Sequence, residues 1–367
     1  MNKGLTKYLL FFLIFKIGQS CFAQTDSTKR QNPQIKFSGF IDVFYAYDFN
    51  QPQKESRQAF LYNHNRHNKL DVNLGFIKGA IEHNKYRANI ALHTGTYAND
   101  NYASEPKLLQ NIFEANFGLA LNKKNNLWID AGIFASHIGF ESAISTDSWT
   151  LTRSLLAENS PYYLSGAKLT FKPNSKWELA ALITNGWQRI RKVPGNSLPS
   201  LGTQVKFSPS EKTTWNWSTF IGTDDPDSTR RMRYFNNFFG QFQLNNKWGL
   251  IAGFDIGMQQ RKHKSSQYDF WFSPVMILKY QLSETWATAF RTEYYQDQTG
   301  IIIPTNTTNG FKTTGLSLNI DFTPSRRLFY RLEGRWLNSK DKIFQQTNNL
   351  ANNNLFIVTS IAIRLDR

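Results

Sequence analysis

Arg331, Glu333 and Arg335 occupy alternate positions of one segment whose other positions are Tyr330, Leu332, Gly334 and Trp336. Arg291 and Glu293 repeat the arrangement upstream, and Lys78, Arg87, Glu114 and Lys168 sit singly in similar segments. Charges of both signs on one face of an alternating ribbon have two uses. They pair with neighbours across strands and satisfy one another, or they face water and impose a field on whatever moves past. Asp42, Glu82, Asp130, Glu178, Asp255 and Asp321, with Lys206 and Lys279, extend the set. Catalysis is a poor fit to this chemistry. The six histidines show no base-and-nucleophile pattern, and no Gly-x-Ser-x-Gly elbow occurs, so no enzymatic activity is expected. His64 and His67 lie among asparagines, as in a solvated surface loop, and two ligands fall short of a metal site. No metal or cofactor is expected.

These residues need strands to hold them. In segment 248–258, Trp248, Leu250, Ala252, Phe254, Ile256 and Met258 oppose Gly249, Gly253, Asp255 and Gly257. In segment 86–97, Tyr86, Ala88, Ile90 and Leu92 oppose Arg87, Asn89 and His93. A period of two is the signature of a strand with one apolar and one polar face. About sixteen such segments follow one another: 35–49, 69–82, 86–97, 111–121, 127–136, 162–172, 177–187, 201–207, 213–222, 233–244, 248–260, 269–282, 286–296, 311–322, 327–337 and 354–367. Connections sort by parity. Those at 83–85, 122–126, 173–176, 208–212, 245–247, 283–285 and 323–326 are short. Those at 50–68, 98–110, 137–161, 188–200, 223–232, 261–268, 297–310 and 338–353 are longer and polar. That sorting predicts an all-β fold, a transmembrane antiparallel up-and-down barrel with short periplasmic turns and long extracellular loops. Pro274 removes a donor in mid-strand and predicts a bulge, and the parity change at Phe76-Ile77 predicts another.

Rings gather at the strand ends. Phe171, Trp177, Phe207, Trp215, Trp248, Tyr280, Trp286 and Phe322 stand next to short turns. Tyr47, Tyr97, Tyr163, Trp187, Tyr234, Phe270 and Trp336 stand near the long loops. Two outward aromatic girdles are expected from them. Phe40, Phe44, Trp128, Phe134, Phe235, Phe239 and Trp271 fall instead at inward positions.

Residues 1–23 read as a secretory leader: Lys3 and Lys7, a short apolar run, then Cys21-Phe22-Ala23 before the cut. Acylation of Cys21 is the rival, and Gly18-Gln19-Ser20 suits it poorly. The expected organisation is therefore a signal peptide over 1–23, a short periplasmic segment over 24–34 and a barrel over 35–367, placed in the outer membrane. The one cysteine lies within the leader, so no disulfide holds the exported chain. Fifteen per cent aromatic content with a mean hydropathy of −0.47 is unusual for a soluble core and suits a barrel wet on one face. A net charge of +16 favours acidic lipid headgroups, lipopolysaccharide and anions as partners. No recognition helix is visible, so nucleic acid is excluded.

The stretch Gly39-Phe40-Ile41-Asp42-Val43-Phe44-Tyr45-Ala46-Tyr47-Asp48-Phe49-Asn50 resembles the opening strand of the OmpL-like β-barrel porins. So do Ala91-Leu92-His93-Thr94-Gly95-Thr96-Tyr97, Thr152-Arg153-Ser154-Leu155-Leu156-Ala157-Glu158-Asn159-Ser160-Pro161-Tyr162-Tyr163, Asn185-Gly186-Trp187-Gln188 and Ser218-Thr219-Phe220-Ile221-Gly222-Thr223. The likeness extends over 35–367 and implies an outer-membrane porin of the Bacteroidetes type. One departure is the terminal Leu365-Asp366-Arg367, where many outer-membrane proteins end in an aromatic residue.

The resulting expectation is passive diffusion of small polar solutes or ions with a weak preference for anions. Lys78, Arg87, Glu114, Lys168, Arg291, Glu293, Arg331, Glu333 and Arg335 are the candidate pore lining. The third loop, 137–161, is the longest and by analogy folds inward as a constriction bearing Glu141, Asp147, Arg153 and Glu158. Arg189, Arg191, Lys192, Arg261 and Lys262 form a basic outer rim, where they meet lipid phosphates or gather anions. A homotrimer suits the size. The alternative is a structural or adhesive barrel, its lumen blocked and its outer loops binding a partner.

Overall fold

The computed structural model describes residues 32–366. The expected leader and cleavage site lie outside the described residues. Strands run β1 (Gln34–Asp48), β2 (Lys69–Glu82), β3 (Tyr86–Thr94), β4 (Ile112–Ala120), β5 (Leu127–Ala135), β6 (Tyr163–Asn174), β7 (Trp177–Thr184) and β8 (Ser200–Ser210). They continue as β9 (Thr213–Gly222), β10 (Arg233–Gln243), β11 (Trp248–Gln260), β12 (Tyr268–Gln281), β13 (Trp286–Asp297), β14 (Phe311–Ser325) and β15 (Leu328–Ser339), and a closing strand, Asn353–Asp366. Each pairs antiparallel with the next, and the closing strand pairs with β1 from Asp48↔Phe356 to Ser38↔Asp366. The sixteen strands thus form a closed barrel. Closure leaves no sheet edge, which hydrocarbon demands because unpaired backbone groups there cost several kcal/mol each.

The closing strand shows how alternation becomes two surfaces. Leu355, Ile357, Ile361 and Ile363 are 38–48% exposed on the outside, while Phe356, Val358 and Ala362 are wholly buried inside. At the short-turn rim, outward rings pair across strands: Trp177 on Phe207 at 4.3 Å, Trp248 on Tyr280 at 4.5 Å and Trp286 on Phe322 at 4.7 Å. Rings so placed sit at headgroup depth.

The long-loop rim departs from expectation at three rings. Tyr97 and Tyr163 are buried, and Trp187 packs inward on Phe220 and Phe235, so none of them belongs to an outward girdle. Tyr163 opens β6 and is covered by the Tyr102 ring stacked on it at 4.0 Å, whereas for Tyr97 and Trp187 the cause is early termination. β3 stops at Thr94, where Gly95 turns with φ +118° into a short helix, Thr96–Asn101. β7 stops at Thr184, leaving Trp187 to its loop.

Pro274 makes no bulge: β12 and β13 keep register on both sides of it. The donor it lacks is replaced, because the Ser273 hydroxyl donates to the Tyr294 carbonyl at 2.8 Å. The bulge in β2 is at Asn73, earlier than Phe76-Ile77, since Asp42↔Leu74 is followed by Val43↔Val72.

Candidate functional site

The third loop, 136–162, leaves β5 and crosses the barrel interior before returning to β6. Its path is recorded by its partners on the far wall. Gly139 N–H donates to Asn237 of β10 at 3.1 Å, and Leu151 N–H to Asn319 of β14 at 3.0 Å. Thr152 N–H donates to Glu333 and Leu155 N–H to Glu293, each at 2.6 Å. The Ser160 hydroxyl reaches Asp255 of β11 at 2.9 Å. A buried loop is tolerable when its backbone donors find acceptors. Here the wall's carboxylates and amides supply them.

The arginines of that wall complete the seam. Arg291 donates to Glu333 at 2.8 Å, to the Thr150 hydroxyl at 2.8 Å and to the Thr152 carbonyl at 2.7 Å. Arg335 donates to Glu293 at 2.6 Å and to the Arg153 carbonyl at 2.9 Å. Arg331 bridges Asp321 at 2.7 Å and the carbonyls of Ser145 and Ser148. All five, Arg291, Glu293, Arg331, Glu333 and Arg335, point inward and are buried beneath the loop.

The loop is stapled to itself as well. Buried Arg153 donates to the carbonyls of Ser142, Leu151 and Ala143. Glu141 accepts from the backbone and hydroxyl of Ser154, the residue that caps the helical turn Leu155–Glu158. Glu158 accepts from Tyr62 N–H at 2.9 Å and from Asn63, tying the third loop to the first. Burial pushes the Glu158 carboxyl up to about 7 against those hydrogen bonds, and raises Glu141 as well. Asp147 pairs with Arg364 of the closing strand at 2.5 Å.

The first loop, 49–68, also turns inward. His64 is wholly buried, with Nε2 2.9 Å from Asp42 and its N–H on Asn73 at 2.7 Å, so it is not a solvated surface residue. Burial drives its imidazole below the ordinary value. Arg57, over the Phe356 ring at 4.0 Å, donates to the His64 carbonyl.

The wall from β2 to β7 is different. Lys78 pairs with Glu114 at 2.6 Å, and Arg87 grips Asp130 with two hydrogen bonds at 2.7 and 2.5 Å. Lys168 lies over Phe134 at 5.1 Å. Arg87, Glu114, Asp130 and Lys168 border a cavity of about 380 Å³ toward the short turns. Under β8–β11 a second cavity of about 340 Å³ meets Lys206, Gln204, Gln241 and Phe239. A third, of about 390 Å³, opens among the long loops between Tyr62, Trp187, Arg189 and Arg233.

The basic rim residues sit on the fourth and sixth long loops and are partly engaged. Arg189 faces Asp224 at 3.5 Å, Arg261 pairs with Asp269 at 2.8 Å, and Lys192 donates to the Ser197 carbonyl. Arg191 and Lys262 are exposed. Among the described residues no cluster of His, Asp and Glu has the arrangement of a metal site.

The family Putative beta-barrel porin-2, OmpL-like, matches residues 34–365. The chain belongs to this family. Solved porins share its fold. An anion-selective porin from Comamonas acidovorans superposes with a TM-score of 0.61 at 8% identity, over 91% of this chain and 100% of that one. The outer-membrane channel DcaP of Acinetobacter baumannii does so at 0.60 and 10% identity, over 91% and 98%. Salmonella typhi OmpF, solved with daunomycin, gives 0.58 at 9% identity, over 90% and 97%. No curated protein sequence matches the chain. The OmpL-like barrel is thus an outer-membrane porin fold.

Sequence reasoning missed the wall residues that seat the loop in this OmpL-like barrel: Asn237, Asn319 and the glycines of β11. A Cβ at Gly249 would stand 2.6 Å from the Trp149 ring, and one at Gly253 2.7 Å from Phe140. A row of inward glycines on a strand is the signal that something approaches it closely.

Proposed function

We propose that the chain is a diffusion porin, passing small polar solutes and ions without cofactor or catalysis, its bore narrowed by residues 137–161. The observation that carries this reading is that water-sized space remains on both sides of the inward loop. Cavities of 380 and 340 Å³ lie toward the short turns and one of 390 Å³ toward the long loops. A barrel of purely structural use has no need to keep charged residues beside open space in its interior.

Lys78, Arg87, Glu114 and Lys168 line the wet side, with Glu141, Asp147, Arg153 and Glu158 holding the constriction. A weak anion preference follows from charge left over after pairing. Among the described residues, Lys168 and Lys206 make no ion pair, while Arg87, Arg291, Arg331 and Arg335 on the interior wall are each matched to a carboxylate. Exposed Arg191 and Lys262 add to it at the outer mouth, where they also meet lipopolysaccharide phosphates. The solved OmpT of Vibrio cholerae includes a trimer form. A homotrimer here is favoured by polar groups on the outer face, the Thr203–Thr219 hydroxyl pair at 2.7 Å and Asn236 on Trp217 at 3.0 Å, which a neighbouring subunit would cover.

One observation favours the second reading, a blocked barrel with partner-binding loops. Phe44, Phe220, Phe235, Trp271, Phe311 and Phe356 fill part of the outer lumen with apolar side chains. Planar-bilayer recording of refolded protein decides between them. The porin reading expects discrete conductance steps with a reversal potential of anionic sign in a salt gradient. It also expects severalfold larger steps after deletion of 141–158. No conductance in either protein removes the porin reading, and a cationic reversal potential removes the anion preference.

A further inference from the structure

The interior is filled unevenly. Toward β9 and the closing strand, Leu151 and Leu155 of the third loop pack into the apolar cluster of Phe220, Phe235, Trp271 and Phe356. Toward β2–β7 the space stays open. The 380 Å³ inner cavity shares Glu114 and Ala135 with a cavity of about 230 Å³ beneath residues 138–143. That cavity ends on Tyr102, Pro161 and Tyr162. The 390 Å³ outer cavity starts on the neighbours of those residues, Asn101 and Ala103 in one stretch, Asn159 and Ser160 in the other. The two short stretches are therefore the partition between outer and inner space.

We propose that the permeation route runs along the β2–β7 wall and that the Tyr102 side chain is its gate, shut in this structure; the proposal rests on the porin reading above. Tyr102 is fully buried, its ring stacked on Tyr163 at 4.0 Å and meeting His93 edge-on at 4.7 Å. Tyr97 closes the same cluster against Tyr162 at 5.6 Å. The backbone beside the ring is pinned from both directions. Gln188 donates to the Asn101 carbonyl at 3.3 Å, and the Glu105 carboxylate accepts from Ile190 N–H at 2.8 Å and Arg191 N–H at 3.0 Å. A rotation of the tyrosine opens the partition while the loops stay in place. Opening on the opposite side demands breaking the buried Arg291–Glu333 and Arg335–Glu293 pairs, which leaves charge uncompensated. Side-chain rotation is the cheaper and faster motion.

The test is single-channel recording of the refolded mature chain with three variants. Tyr102→Ala is expected to raise conductance at least about twofold, or to open a silent wild-type barrel. Ser104→Trp alters an exposed residue lining the outer cavity and is expected to lower conductance. Phe239→Ala, on the cavity under β8–β11, is expected to change little. Wild-type conductance in both Tyr102→Ala and Ser104→Trp, or a gain confined to Phe239→Ala, overturns the gate and leaves the porin reading intact. Silence in every protein removes the porin reading and the gate with it. If Tyr102→Ala does not refold, Ser104→Trp carries the test, and an unchanged conductance there sinks the proposal.

Discussion

The wall formed by β13, β14 and β15 and the wall formed by β3 to β6 carry the same residue types, inward charges of both signs. In the first, Arg291, Glu293, Glu333 and Arg335 are sealed under the third loop and spend their hydrogen-bonding capacity on its backbone. In the second, Arg87, Glu114 and Lys168 border open space. Equivalent chemistry on equivalent strands thus serves as mortar in one place and borders open space in another. What separates them is whether a loop lies on top. Water leaves when it does, and each charge must then be paired because an unpaired one would be costly.

That contrast gives unequal expectations for similar substitutions. Glu293→Ala strands the buried Arg335 guanidinium and the Leu155 backbone donor, and should cost about 3–5 kcal/mol, read as a large fall in the thermal unfolding midpoint in detergent. A small shift there would mean that the seam is wet.

Acidity should act on the docking of the third loop through Glu158, where it meets Tyr62 and Asn63 of the first loop. Its docked value of about 7 lies above the ordinary 4.5, so the docked loop binds a proton that the free loop has lost. Docking is then firmest below about pH 4.5 and weakens as pH rises through 7. Current fluctuations are expected to grow between about pH 5 and pH 8 in wild type and to lose that dependence in Glu158→Gln. Persistence of the pH effect in the variant assigns it elsewhere.

Arg87→Ala should do least to stability. Arg87 is 36% accessible and Asp130 only 6%, so the cost should lie closer to the roughly 0–1 kcal/mol of an exposed pair than to that of a fully buried one. An unfolding midpoint near wild type, together with a reversal potential shifted toward cations, is the expected outcome. A loss as large as that of Glu293→Ala would erase the distinction between the walls.

The barrel was legible early. Alternation set strand number, pairing order and the short-turn girdle, since Trp177, Trp248 and Trp286 follow from parity and position alone. The errors fall where the chain leaves the sheet. Tyr97, Tyr163 and Trp187 look outward by parity, yet their strands end early or a loop folds over them. His64 looks solvated among asparagines until the first loop carries it to Asp42. Pro274 looks like a bulge because a missing donor is visible in sequence, whereas the Ser273 hydroxyl that replaces it is identified only by geometry.

By itself, then, the sequence determined a closed antiparallel barrel with one apolar and one charged face. Both follow from a period of two and from the backbone's need for partners in a medium that offers none. Tertiary structure alone decided which interior charges meet water. Loop placement depends on contacts between residues far apart in the chain, Leu155 with Glu293 or Gly139 with Asn237, and no local spacing records such pairings.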